Sequence, residues 1–203
     1  ASKLHLFLSS FQRPIHMVAD LETKPTWTVD ELEEDVRTNL TAIRDRLDDV
    51  IRPETDALMA NMTDWYSSDD KVVEGGFWRE LPLFVFGRKS NHACSLAPQT
   101  CKLLKGFVGA SKCVTCTVKF SLLKPRTKLY PQCGASNVRL RSVFGLTDVP
   151  TKFKVYKDKR FELKRGDVGV FDDSFEHEVE NDDENDFALA LIVDFDHPNS
   201  PWK

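Results

Sequence analysis

Beyond Gly75-Gly76 the chain breaks into short β-rich segments separated by turn residues, and this texture limits the fold more than any other feature of the sequence. Strands are predicted at 81–86, 117–123, 138–146, 153–156, 161–163, 168–171, 176–179 and 187–194, with one helix between Gln99 and Phe107 interrupting them. Several closely spaced short strands close only as a barrel or a sandwich. The run 182–186, Asp-Asp-Glu-Asn-Asp, reads as a solvated hairpin tip. Upstream the periodicity is helical. Thr28 and Glu31 have capping-box spacing, and Val29, Leu32, Val36, Leu40, Ile43 and Leu47 follow at steps of three and four. Pro53 either closes this helix or begins another over about 54–62. The stripe predicts packing against a sheet; a partner-binding helix through Val36, Leu40 and Ile43 is the weaker reading. The expected organisation is an N-terminal arm over 1–26 containing Pro14 and Pro25, a helical part over 27–75, and a β part over 76–203.

Composition narrows the function. A chain of 203 residues with 41% hydrophobic content can bury a sizeable core without a metal or disulfide to hold it. A formal charge of −4 argues against a dedicated nucleic-acid binder. No apolar run approaches the ~20 residues that cross a bilayer; the longest, 4–8 and 187–193, are strand-sized. Cys94 and Cys101 bracket a short loop containing Pro98, Cys113 and Cys116 form a CxxC, and Cys133 is left over. With two sequons, at Asn39 and Asn61, the cysteines tilt the expectation toward the secretory pathway. No signal peptide precedes Ala1, which reads as the start of a trimmed chain. As a zinc site the CxxC is weak, because no second CxxC or CxH pair supplies the other ligands, and a redox role is equally thin.

The second half carries a string of recognisable segments. Trp78-Arg79-Glu80-Leu81 leads to Gly87-Arg88, Asn91-His92-Ala93-Cys94 and Ala97-Pro98-Gln99-Thr100-Cys101. Phe120-Ser121, Pro131-Gln132-Cys133-Gly134, Asn137-Val138-Arg139-Leu140-Arg141 and Phe144-Gly145-Leu146 come next. The run 171–179, FDDSFEHEV, precedes Ile192-Val193-Asp194 and His197-Pro198. In this order and spacing they resemble the catalytic domain of the aspartyl/asparaginyl β-hydroxylase family, and Lys24-Pro25-Thr26-Trp27-Thr28 looks like that domain's opening segment. The resemblance implies a mainly β fold with N-terminal helices, a double-stranded β-helix of the jelly-roll or cupin-like kind. It implies an iron(II)/2-oxoglutarate site, a disulfide between Cys94 and Cys101, and, as in animal relatives, hydroxylation of Asp or Asn in EGF-like domains within the endoplasmic reticulum lumen.

The chain departs from that pattern where the chemistry sits. His177 matches one iron-binding His of the family, but Gln132 stands where the other belongs, and Gly134 occupies the place of an HxD carboxylate. Ser121 and Arg141 match 2-oxoglutarate contacts, whereas Ala188 replaces an Arg and Val143 a His. Glu180 and Asp196 stand where many members carry Trp, at positions expected on the pocket rim. An amide is a weak donor beside imidazole, and burying a carboxylate without its charged partner costs about 3–5 kcal/mol. No iron or 2-oxoglutarate is therefore expected. The leading expectation is a diverged scaffold whose pocket binds a small organic ligand through Ser121 and Arg141, an anion among the candidates. It would act as a cofactor-independent cyclase or isomerase with His177 and Gln132 polarising the substrate, or as a pseudoenzyme. The alternative is an active hydroxylase of Asp/Asn side chains or a small molecule, holding Fe(II) through His177 in a non-standard site. Blander readings stand beside these: His177 as a hydrogen-bonded core residue, Arg141 in a buried ion pair with Asp172 or Asp194. His92 reads as a loop residue; His5, His16 and His197 show no catalytic pairing.

Overall fold

The computed structural model describes residues 17–60, 62–67, 73–157 and 159–200. His5, His16, Pro14, the apolar run 4–8 and the sequon residue Asn61 lie outside the described residues.

Two antiparallel sheets form the body of the molecule. The larger has eight strands: β1 (Thr26–Trp27), β2 (Tyr66–Ser67), β4 (Trp78–Val85), β5 (Arg88–Lys89), β6 (Thr117–Leu123), β8 (Arg139–Gly145), β11 (Val168–Phe171) and β13 (Ala188–Asp196). The smaller has five: β3 (Val73–Gly75), β7 (Thr127–Leu129), β9 (Thr151–Val155), β10 (Lys159–Leu163) and β12 (His177–Asn181). The strand order is β1-β11-β8-β13-β6-β4-β2 in the larger sheet, with β5 pairing β4 off this path, and β10-β9-β12-β7-β3 in the smaller. From β6 to β13 the chain passes repeatedly between sheets, so strands distant in sequence become neighbours. This winding is a double-stranded β-helix.

Period-two alternation sets which residues face the space between the sheets. Along β13, Leu189, Leu191, Val193 and Phe195 enter the large core, while Ala188, Ala190 and Ile192 point into the inter-sheet clusters. The large core also takes Leu40, Ile43, Leu47, Ile51 and Leu58, so the helices cover the outer face of the larger sheet. Leu40 and Ile43 are 2% and 1% exposed: the amphipathic stripe is consumed by the core and leaves no partner-binding face there.

The helical part differs in detail from its prediction. The capping box at Thr28 and Glu31 forms, but it opens a single 3-10 turn, Val29–Glu31, and helix α1 starts afresh at Glu34–Asp45. Of the two readings of Pro53 the second holds, since it opens the next helix and does not close α1. One π turn, Leu47–Ile51, leads directly into α2 (Arg52–Ala60), with Pro53 in its first turn, where a missing N–H is tolerated. The predicted helix near Gln99 is α4 (Pro98–Lys105), flanked by α3 (Asn91–Leu96), whose N-terminus Ser90 caps, and the single turn α5 (Val108–Ser111). Pro82 sits in β4 beside the irregularity between Pro82 and Phe84, where a lost ladder bond does least harm. Asn39 lies within α1, its amide bonded to the Asp35 carbonyl at 2.7 Å.

Candidate functional site

Between the sheets lies a cavity of about 190 Å³, walled by Ser121, Gln132, Cys133, Arg141, His177 and Ile192 among others. Gln132 and His177 face each other across an isolated antiparallel bridge and exchange both backbone hydrogen bonds, at 3.0 and 2.8 Å. Directly opposed residues project their side chains to the same side, so the amide and the imidazole share one wall. His177 is 3% exposed and packs edge-on to Phe171 at 5.2 Å. Its Nδ1 lies 3.0 Å from the Phe175 carbonyl, an acceptor only, so Nδ1 carries the proton and Nε2 keeps its lone pair. Burial first, and the Arg141 guanidinium second, depress its pKa to about 4 against the pull of Asp173. The ring is neutral at physiological pH.

The charged residues on this side of the larger sheet neutralise one another. Arg141 donates Nε to Asp194 Oδ1 at 2.7 Å and Nη2 to Asp194 Oδ2 at 3.0 Å, and pairs with Asp173 at 3.0 Å. Arg139 donates to Asp173 at 2.8 and 3.3 Å and approaches Asp194 at 3.6 Å. Lys119 pairs with Glu80 and sits 5.2 Å from the Trp78 ring. Three cations thus meet three carboxylates. Burial opposes ionisation of Asp173, but Arg141 and Arg139 overcome it and hold its pKa at about 2. Burial also acts against the Arg141 charge, and Asp173 and Asp194 outweigh it, moving that pKa up.

Asp173 sits where a side chain at position 134 would project: a Cβ on Gly134 would fall on its carboxylate. Glycine is required there because Asp173 fills the space, and the acid is committed to two arginines. Asp172 does different work. It accepts from Thr23 Oγ1 at 2.6 Å and from the Ser174 N–H at 2.8 Å, and burial pushes its pKa up to about 6. Its own N–H donates to the Pro25 carbonyl, so it holds the opening segment against the sheet. Arg141 is therefore paired with Asp194, as one reading had it, and with Asp173 in place of Asp172.

The structure brings together Ser121, Gln132, Arg141 and His177 and leaves out two of the named positions. Val143 is buried against Phe153 and Phe171, and Ala188 beside Leu123 and Leu129; neither lines the cavity. Both sit in apolar clusters behind residues that do line it, Phe171 and Leu123 among them. Glu180 also leaves the expected rim, because it shares the outer face of the smaller sheet with Lys128 and Lys152. Trp78, Asp173 and Cys133 also line the cavity, as do Lys119 and Arg139. Trp78 Nε1 donates to Ser121 Oγ at 2.9 Å and fixes that hydroxyl. Cys133 is a free, half-buried thiol whose pKa burial, Glu176 and Asp173 raise to about 11. Cys94 and Cys101 are disulfide-bonded as expected, and so are Cys113 and Cys116. No helix among the described residues is long and apolar enough to cross a membrane.

These donors do not fit an iron(II)/2-oxoglutarate centre. The imidazole that faces the cavity is His177, its cross-strand neighbour offers a neutral amide oxygen, and Asp173 is engaged by both arginines. At the dicarboxylate end, Ser121 is in place but Arg141 is already charge-matched and position 188 carries no charge.

The profile of the family described as aspartyl/asparaginyl beta-hydroxylase matches residues 38–198. Aspartyl/asparaginyl beta-hydroxylase from Homo sapiens is 35% identical over 194 residues, covering 95% of this chain and 25% of its own length. The Mus musculus counterpart is 35% identical over 196 residues, covering 95% and 26%. The chain thus spans about a quarter of the length of the curated relatives it matches. Among solved structures, a prolyl-4-hydroxylase from Pseudomonas putida aligns with TM-score 0.47 and 13% identity over 78% of this chain and 98% of that one. A cupin-like protein from Thermotoga maritima aligns with TM-score 0.41 and 12% identity over 64% and 75%. With the profile spanning most of the chain and the identity to two relatives running nearly end to end, the chain belongs to the aspartyl/asparaginyl β-hydroxylase family.

Proposed function

We propose that this family member has exchanged iron/2-oxoglutarate hydroxylation for the binding of a small organic ligand in the β-helix cavity. The observation that carries the reading is the bridge between Gln132 and His177: where two imidazoles would have to meet, an amide faces the one that remains. The charge balance of the wall favours a neutral, polar ligand over the anion that Arg141 alone suggested, since a carboxylate would have to displace Asp173 or Asp194.

Within the cavity His177 Nε2 is a hydrogen-bond acceptor, and the Gln132 carboxamide, on the same wall, can donate N–H and accept at its oxygen. This pair can polarise a carbonyl or hydroxyl and pass a proton between neighbouring ligand atoms, the work of an isomerase or cyclase. With a pKa of about 4, His177 is a weak base, so polarisation dominates over proton abstraction. A pseudoenzyme is the same arrangement without turnover. Two disulfides favour a secretory-pathway location.

A second reading, an active hydroxylase, draws on the 35% identity to the human hydroxylase and on the retained Ser121 and Arg141. It would take EGF-like domains or a small molecule as substrate. Incubation with ferrous ion, ascorbate and 2-oxoglutarate, followed by succinate determination, separates the two. No succinate above the protein-free background is expected; catalytic succinate formation would establish the hydroxylase.

A further inference from the structure

The turn between α5 and β6 carries the second disulfide. A CxxC needs donors from elsewhere in the chain to hold a metal, and local sequence shows none. The fold supplies one. Asp196, the last residue of β13, brings a carboxylate to the turn, and its oxygen and the two Sγ atoms all lie within 4.8 Å of one another. Both sulfurs are buried, yet Val114 between them is 75% exposed, so the tip of the turn stands in solvent. Thr115 contacts the Cys113 sulfur at 3.3 Å through its hydroxyl, and its carbonyl accepts from Arg139 Nη1. None of the three donors lines the cavity between the sheets.

We infer that Cys113, Cys116 and Asp196 form a redox-gated zinc site, shut while the disulfide is intact and opened by a dithiol reductant. Opening transfers two electrons and two protons from the dithiol to the Cys113–Cys116 bond; the reductant leaves as a disulfide and two thiols remain. Zinc then displaces both thiol protons to solvent and is held by two thiolates and one carboxylate. Three protein ligands with water in the fourth position is a stable tetrahedral arrangement for this ion. The set carries three negative charges against two on zinc, and the bond from Arg139 Nη1 to the Thr115 carbonyl holds the turn in place.

The site is tested on the whole chain, reduced with a dithiol, desalted anaerobically and titrated with cobalt(II) and then zinc. The reduced protein is expected to take up about one equivalent and to show the near-ultraviolet thiolate-to-cobalt band. The oxidised protein should show none. Cys116→Ser should abolish the band while leaving the Cys94 and Cys101 thiols available, and Cys133→Ser should leave it unchanged. Asp196→Asn, nearly isosteric and therefore safe for folding, should weaken zinc binding about tenfold or more against a competing chelator. A reduced protein without the band, or one whose binding Cys116→Ser or Asp196→Asn leaves intact, overturns the inference.

Discussion

Replacing Asp194 by Asn removes one charge from the neutralised wall. Asp194 is fully buried and accepts from Arg141 at 2.7 and 3.0 Å, with the Thr117 N–H at 3.3 Å and Arg139 at 3.6 Å. Asparagine keeps the shape and one acceptor but leaves Arg139 and Arg141 sharing Asp173 alone. Removing one partner of a buried pair costs about 3–5 kcal/mol, which in a domain of this size lowers Tm by about 6–20 °C. The same substitution frees positive charge to meet a carboxylate. Succinate at about ten times its Kd should return about 1.4 kcal/mol to the variant. Wild type, already balanced, should gain nothing beyond a sodium chloride control of equal ionic strength. Thermal denaturation of both proteins with and without succinate decides the matter. The reasoning fails if wild type is stabilised as much as the variant, or if Asp194→Asn melts within about 2 °C of wild type.

Three further outcomes follow from the same geometry. Gln132→His places a second imidazole opposite His177 and should tighten Mn(II) binding about tenfold or more over wild type by equilibrium dialysis; equal affinities would show that the two side chains do not converge. Acidification pulls two ways. Because His177 stays neutral in the fold down to about pH 4 while the unfolded chain protonates near 6.5, its contribution to stability falls by about 3 kcal/mol as pH drops through that window. Asp172, raised to about 6, binds its proton in the fold before the unfolded chain does, so its contribution grows on acidification from about pH 6 to 4 and offsets the loss. Urea denaturation should thus show a nearly flat wild type and a clear acid loss in Asp172→Asn; a flat variant rejects the assignment. Removing the Cys94–Cys101 disulfide by paired Ala substitution should lower stability by about 2.5 kcal/mol, the loop-closure value for its short span, read as a fall in the urea midpoint.

How much of this was legible in the sequence depends on how local the determinant is. Strands β6 and β11 fall on the predicted bounds, because apolar residues recur at every second position, Val118, Phe120 and Leu122 in one and Val168 and Val170 in the other, and turn residues flank them. The two- and three-residue strands β1, β2, β3, β5 and β7 were not legible; so short a run has no period and is defined only by its partner. At the site, Gln132 and His177 were readable as a pair through the family pattern. Their direct opposition depends on a bridge between residues far apart in the chain. Asp173 was visible only as part of the run 171–179, and its engagement by both arginines exists only after β8 and β11 pair, Arg141 beside Phe171. Val143 and Ala188 show the converse. Matching them to family contacts located the strands correctly, but small apolar side chains there settle into the flanking clusters and leave the cavity wall to others.

Calorimetric titration of chelator-stripped protein with Mn(II) in the presence of 2-oxoglutarate, under anaerobic conditions, bears most directly on the loss of the iron centre. The lone Nε2 of His177 and the occupied arginines should give no saturable heat at micromolar protein. A stoichiometric isotherm that disappears in His177→Ala would place a working metal and co-substrate site in this cavity and contradict the account.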